Sequence, residues 1–258
     1  MSEEIKRNAQ KVFAKNKQAY IDSATHKNQS DLDEIIKWIQ PTPTQKALDI
    51  ATGGGHVAKA LSAYVKTIFA TDLTKDMLQN TAHHLAEKTN MEYVIADAEK
   101  LPFIDDSFDI VTCRIAPHHF PSPIIFIKEV SRVLKQSGKF LMIDNIAPEE
   151  DQLDHFYNFF EKKRDSSHVR ALKKSEWYSV FSQQDLIIQK HMVRKKKMPF
   201  PDWVKRTLDT TKEQEEVEAL FLHATPEEKQ QFSITVENGR VQSFTIEEYM
   251  VLVEKHSS

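Results

Sequence analysis

The sequence predicts a doubly wound α/β fold on a mostly parallel sheet, and three observations carry that expectation. Three of the chain's five glycines stand in a row at Gly53-Gly54-Gly55. Strand-like and helix-like stretches alternate from residue 47 to residue 146. Carboxylates recur at or just before the ends of four of these strands, at Asp49, Asp72, Asp97 and Asp144.

The first observation marks a turn with a purpose. Ala47-Leu48-Asp49-Ile50 is an apolar run too short for a helix, and Val57, Ala60, Leu61 and Tyr64 recur at helical spacing after the glycines. Strand, glycine turn and helix form the βα element that opens a nucleotide-binding fold. Glycine supplies positive φ and lets a ligand approach the backbone, and the amides at the start of the helix face that ligand.

The alternation sets the remaining core elements. Strands are expected at 47–51, 67–71, 92–96, 108–113 and 139–144, with helices at 56–64, 75–88 and 122–135. Ligands bind at the carboxyl ends of strands in open α/β sheets, which places the four acids along one edge with the glycine turn. Upstream, Ile5, Ala9, Val12 and Phe13 give an amphipathic helix over 3–19. A polar connector from Tyr20 to Ser30 carries His26. A second helix, Asp31 to Ile39, is ended by Pro41-Thr42-Pro43.

Downstream the pattern changes. Gln152 to Lys163 is helical and rich in aromatic residues (Phe156, Tyr157, Phe159, Phe160). Ser175 to Phe181 fits a short helix capped by Ser175, Leu186 to Val193 a strand, and 199–231 mainly helices. Asn238-Gly239 signals a turn, and Ser243-Phe244 with Tyr249 to Glu254 a final strand. One domain is expected, with an N-terminal helical cap (1–40), a core (41–147) and a segment of helices and last strands (148–258). The aromatic helices are core or a lid over an apolar substrate, and the N-terminal helix with Tyr20 and His26 is a second candidate to close over the site.

Composition narrows the function classes. The 258 residues, 40% of them hydrophobic, suffice for one sizeable core. A formal net charge of -3 offers no global basic field, so no nucleic-acid partner is expected. The single cysteine, Cys113, excludes an internal disulfide framework and a cysteine-based zinc site. Met1-Ser2-Glu3-Glu4-Ile5-Lys6 has no apolar signal core, and no run approaches the roughly 20 apolar residues of a membrane span. A soluble, cytoplasmic protein is expected.

Asp72 lies 19 residues beyond Gly53, where a carboxylate can accept hydrogen bonds from both ribose hydroxyls of a nucleoside. It argues against a ribose 2′-phosphate. Gly53, Gly55 and Ala58 also fit Gly-x-Gly-x-x-Ala, so a nicotinamide-dependent reductase is a rival reading.

Four stretches in order favour another family: Asp49 with the glycine turn, Ile95-Ala96-Asp97-Ala98 followed by Leu101-Pro102-Phe103, then Ser107 to Arg114, then Val133 to Phe140. Together they resemble the signatures of class I S-adenosylmethionine-dependent methyltransferases, most closely the type 11 group that includes ubiquinone/menaquinone-biosynthesis enzymes. Arg164-Asp165-Ser166-Ser167-His168-Val169-Arg170 and Trp177 are similar to uncharacterised bacterial members of that group. The resemblance implies a seven-stranded Rossmann-like sheet and S-adenosyl-L-methionine as cofactor, leaving S-adenosyl-L-homocysteine as product. It implies that the turn, with Asp49, Ala51, Thr52, Gly53 and Gly55, holds the methionyl part. It places Asp72 on the ribose with Leu73 beside the adenine, Asp97 and Ala98 at the adenine amino group, and Arg114 on the cofactor or substrate side. Ala51 stands where the family has its first glycine.

His118 and His119 follow the fourth strand, where this family places substrate groups, and are the candidate catalytic residues. Either could deprotonate or orient a nucleophile, or hydrogen-bond structurally in a loop. His119 looks like the histidine that precedes phenylalanine in the group, which suits packing or a cofactor-side role. His26 and His168 are further candidates. No metal is expected, because adjacent histidines rarely suit one metal and no H-E-x-x-H spacing occurs. Arg194-Lys195-Lys196-Lys197 is expected to be a solvated strand end rather than a phosphate or RNA site. The leading expectation is metal-free methyl transfer to a small molecule. A reductase, an RNA methyltransferase and a non-catalytic cofactor-binding protein are the alternatives.

Overall fold

The computed structural model describes residues 2–22 and 29–256, with side chains over 2–14 and 30–256. His26 and the side chain of Tyr20 lie outside the described residues. Two helices come first, α1 (Ser2–Asp22) and α2 (Gln29–Ile39). The parallel part of the sheet follows: β1 (Lys46–Ile50), α3 (His56–Ser62), β2 (Thr67–Asp72), α4 (Lys75–His84), β3 (Met91–Ile95) and β4 (Phe108–Arg114). A 3₁₀ turn at Pro117–His119 and α5 (Pro123–Val133) lead into β5 (Leu134–Ile146). Then come α6 (Asp151–Arg164), α7 (Lys174–Ser182), β6 (Leu186–Pro199), α8 (Phe200–Val204), α9 (Thr211–Leu222), α10 (Pro226–Gln231), β7 (Thr235–Glu237) and β8 (Arg240–Lys255).

Among the described residues these strands make an eight-stranded sheet. Seven follow the path β3-β2-β1-β4-β5-β8-β6, and β7 pairs with β8 off that path. The pairs from β3 through β5 are parallel, while β8 runs antiparallel to both β5 and β6. From β1 the chain first builds outward through β2 and β3, then returns to lay β4 on the other side of β1. That reversal opens a crevice at the carboxyl ends of β1 and β4, the place where doubly wound sheets bind ligands.

Alternation along the strands fills both faces. Leu48, Ile50, Val111, Cys113, Phe140 and Met142 pack on one side, against Phe126, Ile127 and Val130 of α5 and Trp177 and Phe181 of α7. Their strand neighbours Ala47, Ile110, Leu141 and Ile143 pack on the other, against Ile35 and Ile39 of α2 and Val57, Ala58 and Leu61 of α3. Period-two side-chain direction accounts for this split, and it makes the sheet the middle of three layers.

The second half departs from expectation in three places. β6 runs to Pro199 and β8 spans 16 residues, so the last strands are much longer than the hydrophobic runs implied. The basic run lies inside β6, where Arg194 pairs with Asp31 and Glu248, and Lys196 with Glu248. α7 is capped through Lys173 and Glu176 rather than by Ser175, whose hydroxyl donates to Glu149. The aromatic helices are core: Tyr157, Phe160, Trp203, Phe221 and Phe244 bury one another in a third cluster. No helix of the described residues is long and apolar enough to cross a membrane.

Candidate functional site

The crevice is shaped by the turn after β1. Ala51, Gly53 and Gly55 adopt left-handed backbone with φ of 52°, 51° and 75°. At Gly55 a Cβ would stand 2.5 Å from Thr81 Cγ2 and 2.9 Å from Leu85 Cδ1, so the close approach of α4 admits only glycine. Thr81 Oγ1 donates to the Gly53 carbonyl at 2.6 Å and fastens α4 to the turn. Asp72, at the end of β2, accepts from Gly53 N–H at 3.1 Å and Thr74 N–H at 2.8 Å, with lone pairs left for a ligand. Asp49 is buried beneath the turn and accepts from Thr52 Oγ1 at 2.6 Å and Thr112 Oγ1 at 2.8 Å. Burial pushes its carboxyl up to about 6, with those two hydroxyls pulling the other way.

Above the turn lies a cavity of about 1060 Å³, its open mouth included. Its floor is Asp49, Ala51, Thr52 and Gly53, with Asp72, Leu73 and Met77 along one side. Asp97 and Ala98 after β3, Arg114 after β4, and His119 and Phe120 complete the wall. α1 closes it from above with Lys6, Ala9, Gln10 and Phe13. Lys6 Nζ bridges Asp97 at 2.6 Å and Glu99 at 2.7 Å, Gln10 Nε2 donates to the Leu73 carbonyl at 2.9 Å, and Phe13 meets the His119 ring edge-on. Burial disfavours the Lys6 charge, but the two carboxylates outweigh it and hold the ammonium above its ordinary value.

Thus Asp49, Ala51, Thr52, Gly53, Asp72, Leu73, Asp97, Ala98, Arg114 and His119 line one cavity. Gly55 shapes the turn from behind, and the pocket wall does not include His118. Asp144, the fourth strand-end acid, also stands away from the cavity. Arg114 reaches the wall while its guanidinium pairs with Asp31 at 3.0 Å.

Residues 48–142 match the Methyltransferase domain family. Over 244 residues the chain is 37% identical to the uncharacterized methyltransferase YcgJ of Bacillus subtilis, an alignment covering 93% of this chain and 96% of YcgJ. The chain belongs to the methyltransferase family. The crystal structure of YcgJ shares its fold with a TM-score of 0.86 at 36% identity, over 89% of this chain and 99% of that one. BH2331 of Bacillus halodurans gives 0.86 at 41% identity, over 88% and 100%. The ubiquinone/menaquinone biosynthesis C-methyltransferase UbiE of Rickettsia typhi is 32% identical over 137 residues, 50% of this chain and 55% of UbiE. The fold of this methyltransferase is accordingly the Rossmann-like one expected for the family.

Beside its cavity the methyltransferase holds a histidine cluster. His118 is clamped by Asp144, which accepts from its backbone N–H at 2.9 Å and from its Nδ1 at 2.6 Å. Burial works against charge on His118, but Asp144 outweighs it and raises the imidazole above its ordinary value. The His119 ring lies 4.1 Å from that of His118 and is pushed the opposite way, first by burial and then by the His118 charge. His168 is also buried and contacts Asn158 Oδ1 at 2.9 Å; burial and the charges of His118, His119 and Arg164 bring it down to about 2.

Sequence reasoning named the turn and the acids but missed Lys6, Gln10 and Glu99. The amphipathic face with Ala9 and Phe13 was the available signal for α1. Nothing in its spacing says that the face turns toward the crevice.

Proposed function

We propose that this methyltransferase uses S-adenosyl-L-methionine to methylate a small-molecule acceptor by in-line transfer. The observation that carries the reading is convergence: the glycine turn, Asp72 and Asp97 border one cavity at the topological switch point. Asp72 receives the ribose hydroxyls, Leu73 packs beside the adenine, and Asp97 with Ala98 takes the adenine amino edge. The turn with Asp49 holds the methionyl end. A sulfonium donor is already activated, so the chain's task is to align the acceptor behind the methyl carbon and keep water away. The closure by α1, with Ala9, Phe13 and Phe120 on the wall, favours a small acceptor over a polymer.

Calorimetry with S-adenosyl-L-homocysteine tests this. Saturable binding is expected, lost or weakened at least tenfold in Asp72→Ala, with no heat from NAD(H) or NADP(H). Absence of heat and of thermal stabilisation at millimolar ligand contradicts the reading, as does tighter binding of a nicotinamide dinucleotide.

A further inference from the structure

The loop after α6 reaches back to the histidine on the cavity wall. Asp165 Oδ1 accepts from Ser167 N–H at 2.8 Å and from Ser167 Oγ at 2.5 Å. Ser167 Oγ is in turn 3.2 Å from His119 Nδ1. Asp165 and Ser167 are 3% and 1% exposed, so water does not compete for these bonds. A carboxylate only accepts, and a serine hydroxyl has one hydrogen. Once that hydrogen is given to Asp165, the oxygen can only accept from His119 Nδ1–H. In a neutral imidazole the remaining nitrogen, Nε2, then carries the lone pair.

We propose that Asp165 and Ser167 are positioning residues that hold His119 in the Nδ1–H form, leaving Nε2 as the base that takes the acceptor's proton in the cavity. The proposal rests on the sulfonium-donor reading above. The acceptor is then one whose attacking atom carries a hydrogen and loses it on methylation, unlike a tertiary amine or a thioether. A bond forms between that atom and the methyl carbon, and the carbon–sulfur bond breaks. Its electron pair neutralises the sulfonium, and the proton passes to His119 Nε2. One positive charge leaves sulfur as one arrives on the imidazole, so the cavity's net charge is unchanged. Asp165, through Ser167, stabilises the imidazolium that results. Burial first, and then the neighbouring His118, drawn toward its charged form by Asp144, keep His119 neutral beforehand, a division of roles between two adjacent histidines.

Long-range ¹H–¹⁵N correlation spectra of histidine-labelled protein read the tautomer directly, with His119→Gln supplying the assignment. The expected wild-type result is a single neutral Nδ1–H tautomer for His119. Ser167→Ala should convert it to a mixture or to Nε2–H, and Ser167→Thr, which keeps the hydroxyl, should restore it. An Nε2–H tautomer in the wild type overturns the proposal, as does an unchanged spectrum in Ser167→Ala. The wild-type measurement decides even if the alanine variant does not fold. Titrating S-adenosyl-L-homocysteine into the same samples separates the two readings. Binding with the wrong tautomer overturns the base alone, whereas no binding overturns the sulfonium-donor reading on which it rests.

Discussion

Ala51 occupies a backbone conformation that costs an L-residue about 1–2 kcal/mol, at φ 52° in the first residue after β1. Ala51→Gly relieves that strain and gives back part of it as unfolded-chain entropy, so a gain of up to about 1 kcal/mol is expected in denaturant unfolding. Gly55→Ala has the opposite sign: left-handed strain and the 2.5 Å contact with Thr81 together cost about 2–4 kcal/mol. Gly53→Ala meets only Met77 Cε at 3.9 Å and should cost about 1–2 kcal/mol, the strain alone. The glycine cluster was legible in the sequence because the chain is so poor in glycine elsewhere. Between His118 and His119 the resemblance pointed to His119 for packing or the cofactor side, and His119 is the one on the cavity wall; spacing alone does not choose, because adjacent residues of a 3₁₀ turn point about 120° apart. His168 gives a pH test. Its folded pKa of about 2 lies below the ordinary value near 6.5, so the unfolded chain binds more protons between those limits. Its neutral burial therefore favours folding above about pH 6.5 and loses that advantage as pH falls toward 2. His168→Gln removes the group, and its melting temperature should drop less than the wild type's between pH 7 and pH 5.

Over its described side chains, α1 lies across the cavity with most of them exposed or half-buried. Of its described side chains only Ala9 is buried; Lys6, Asn8 and Gln10 make polar contacts, and Phe13 meets the His119 ring edge-on. Such an element opens locally at small cost. Hydrogen exchange should show α1 amides exchanging faster than those of β1 in the free protein, then slowing when S-adenosyl-L-homocysteine is added. Protection in α3 alone contradicts a closing role for α1. The Lys6 bridge to Asp97 also has to rearrange if the adenine amino group takes that carboxylate. The element-level reading of the sequence succeeded where apolar periodicity is strong, in β1, β4 and α5. It shortened β6 because that strand lies at the sheet edge with alternate residues exposed, and its lysines blunt an edge that would otherwise pair with another chain.

Across the whole molecule one ion network joins distant parts of the chain. Asp31 of α2 accepts from Arg114 at 3.0 Å and Arg194 at 2.7 Å, and Arg194 also meets Glu248. It ties the helix before the sheet to β4, β6 and β8. Asp31→Ala removes the carboxylate shared by two guanidiniums that are mostly shielded from water. A loss of about 3 kcal/mol is expected in equilibrium unfolding, the range for breaking one partner out of a buried pair. This network was hidden in the sequence: 83 residues separate Asp31 from Arg114, and no local pattern couples them. The parallel half of the sheet was legible because its motifs are local, and the N-terminal helix was a candidate to close over the site, whereas the α1 side chains that reach the cavity and the Asp165–Ser167–His119 chain depend on contacts between remote segments.

The proposed function requires one adenosyl cofactor to fill the crevice above Gly53. A crystal structure with S-adenosyl-L-homocysteine decides whether it does. Ribose hydroxyls on Asp72, the adenine between Leu73 and Ala98, and the sulfur facing the His119 side of the cavity are expected. An adenosyl group bound elsewhere, or a crevice left empty at saturating ligand, would contradict it.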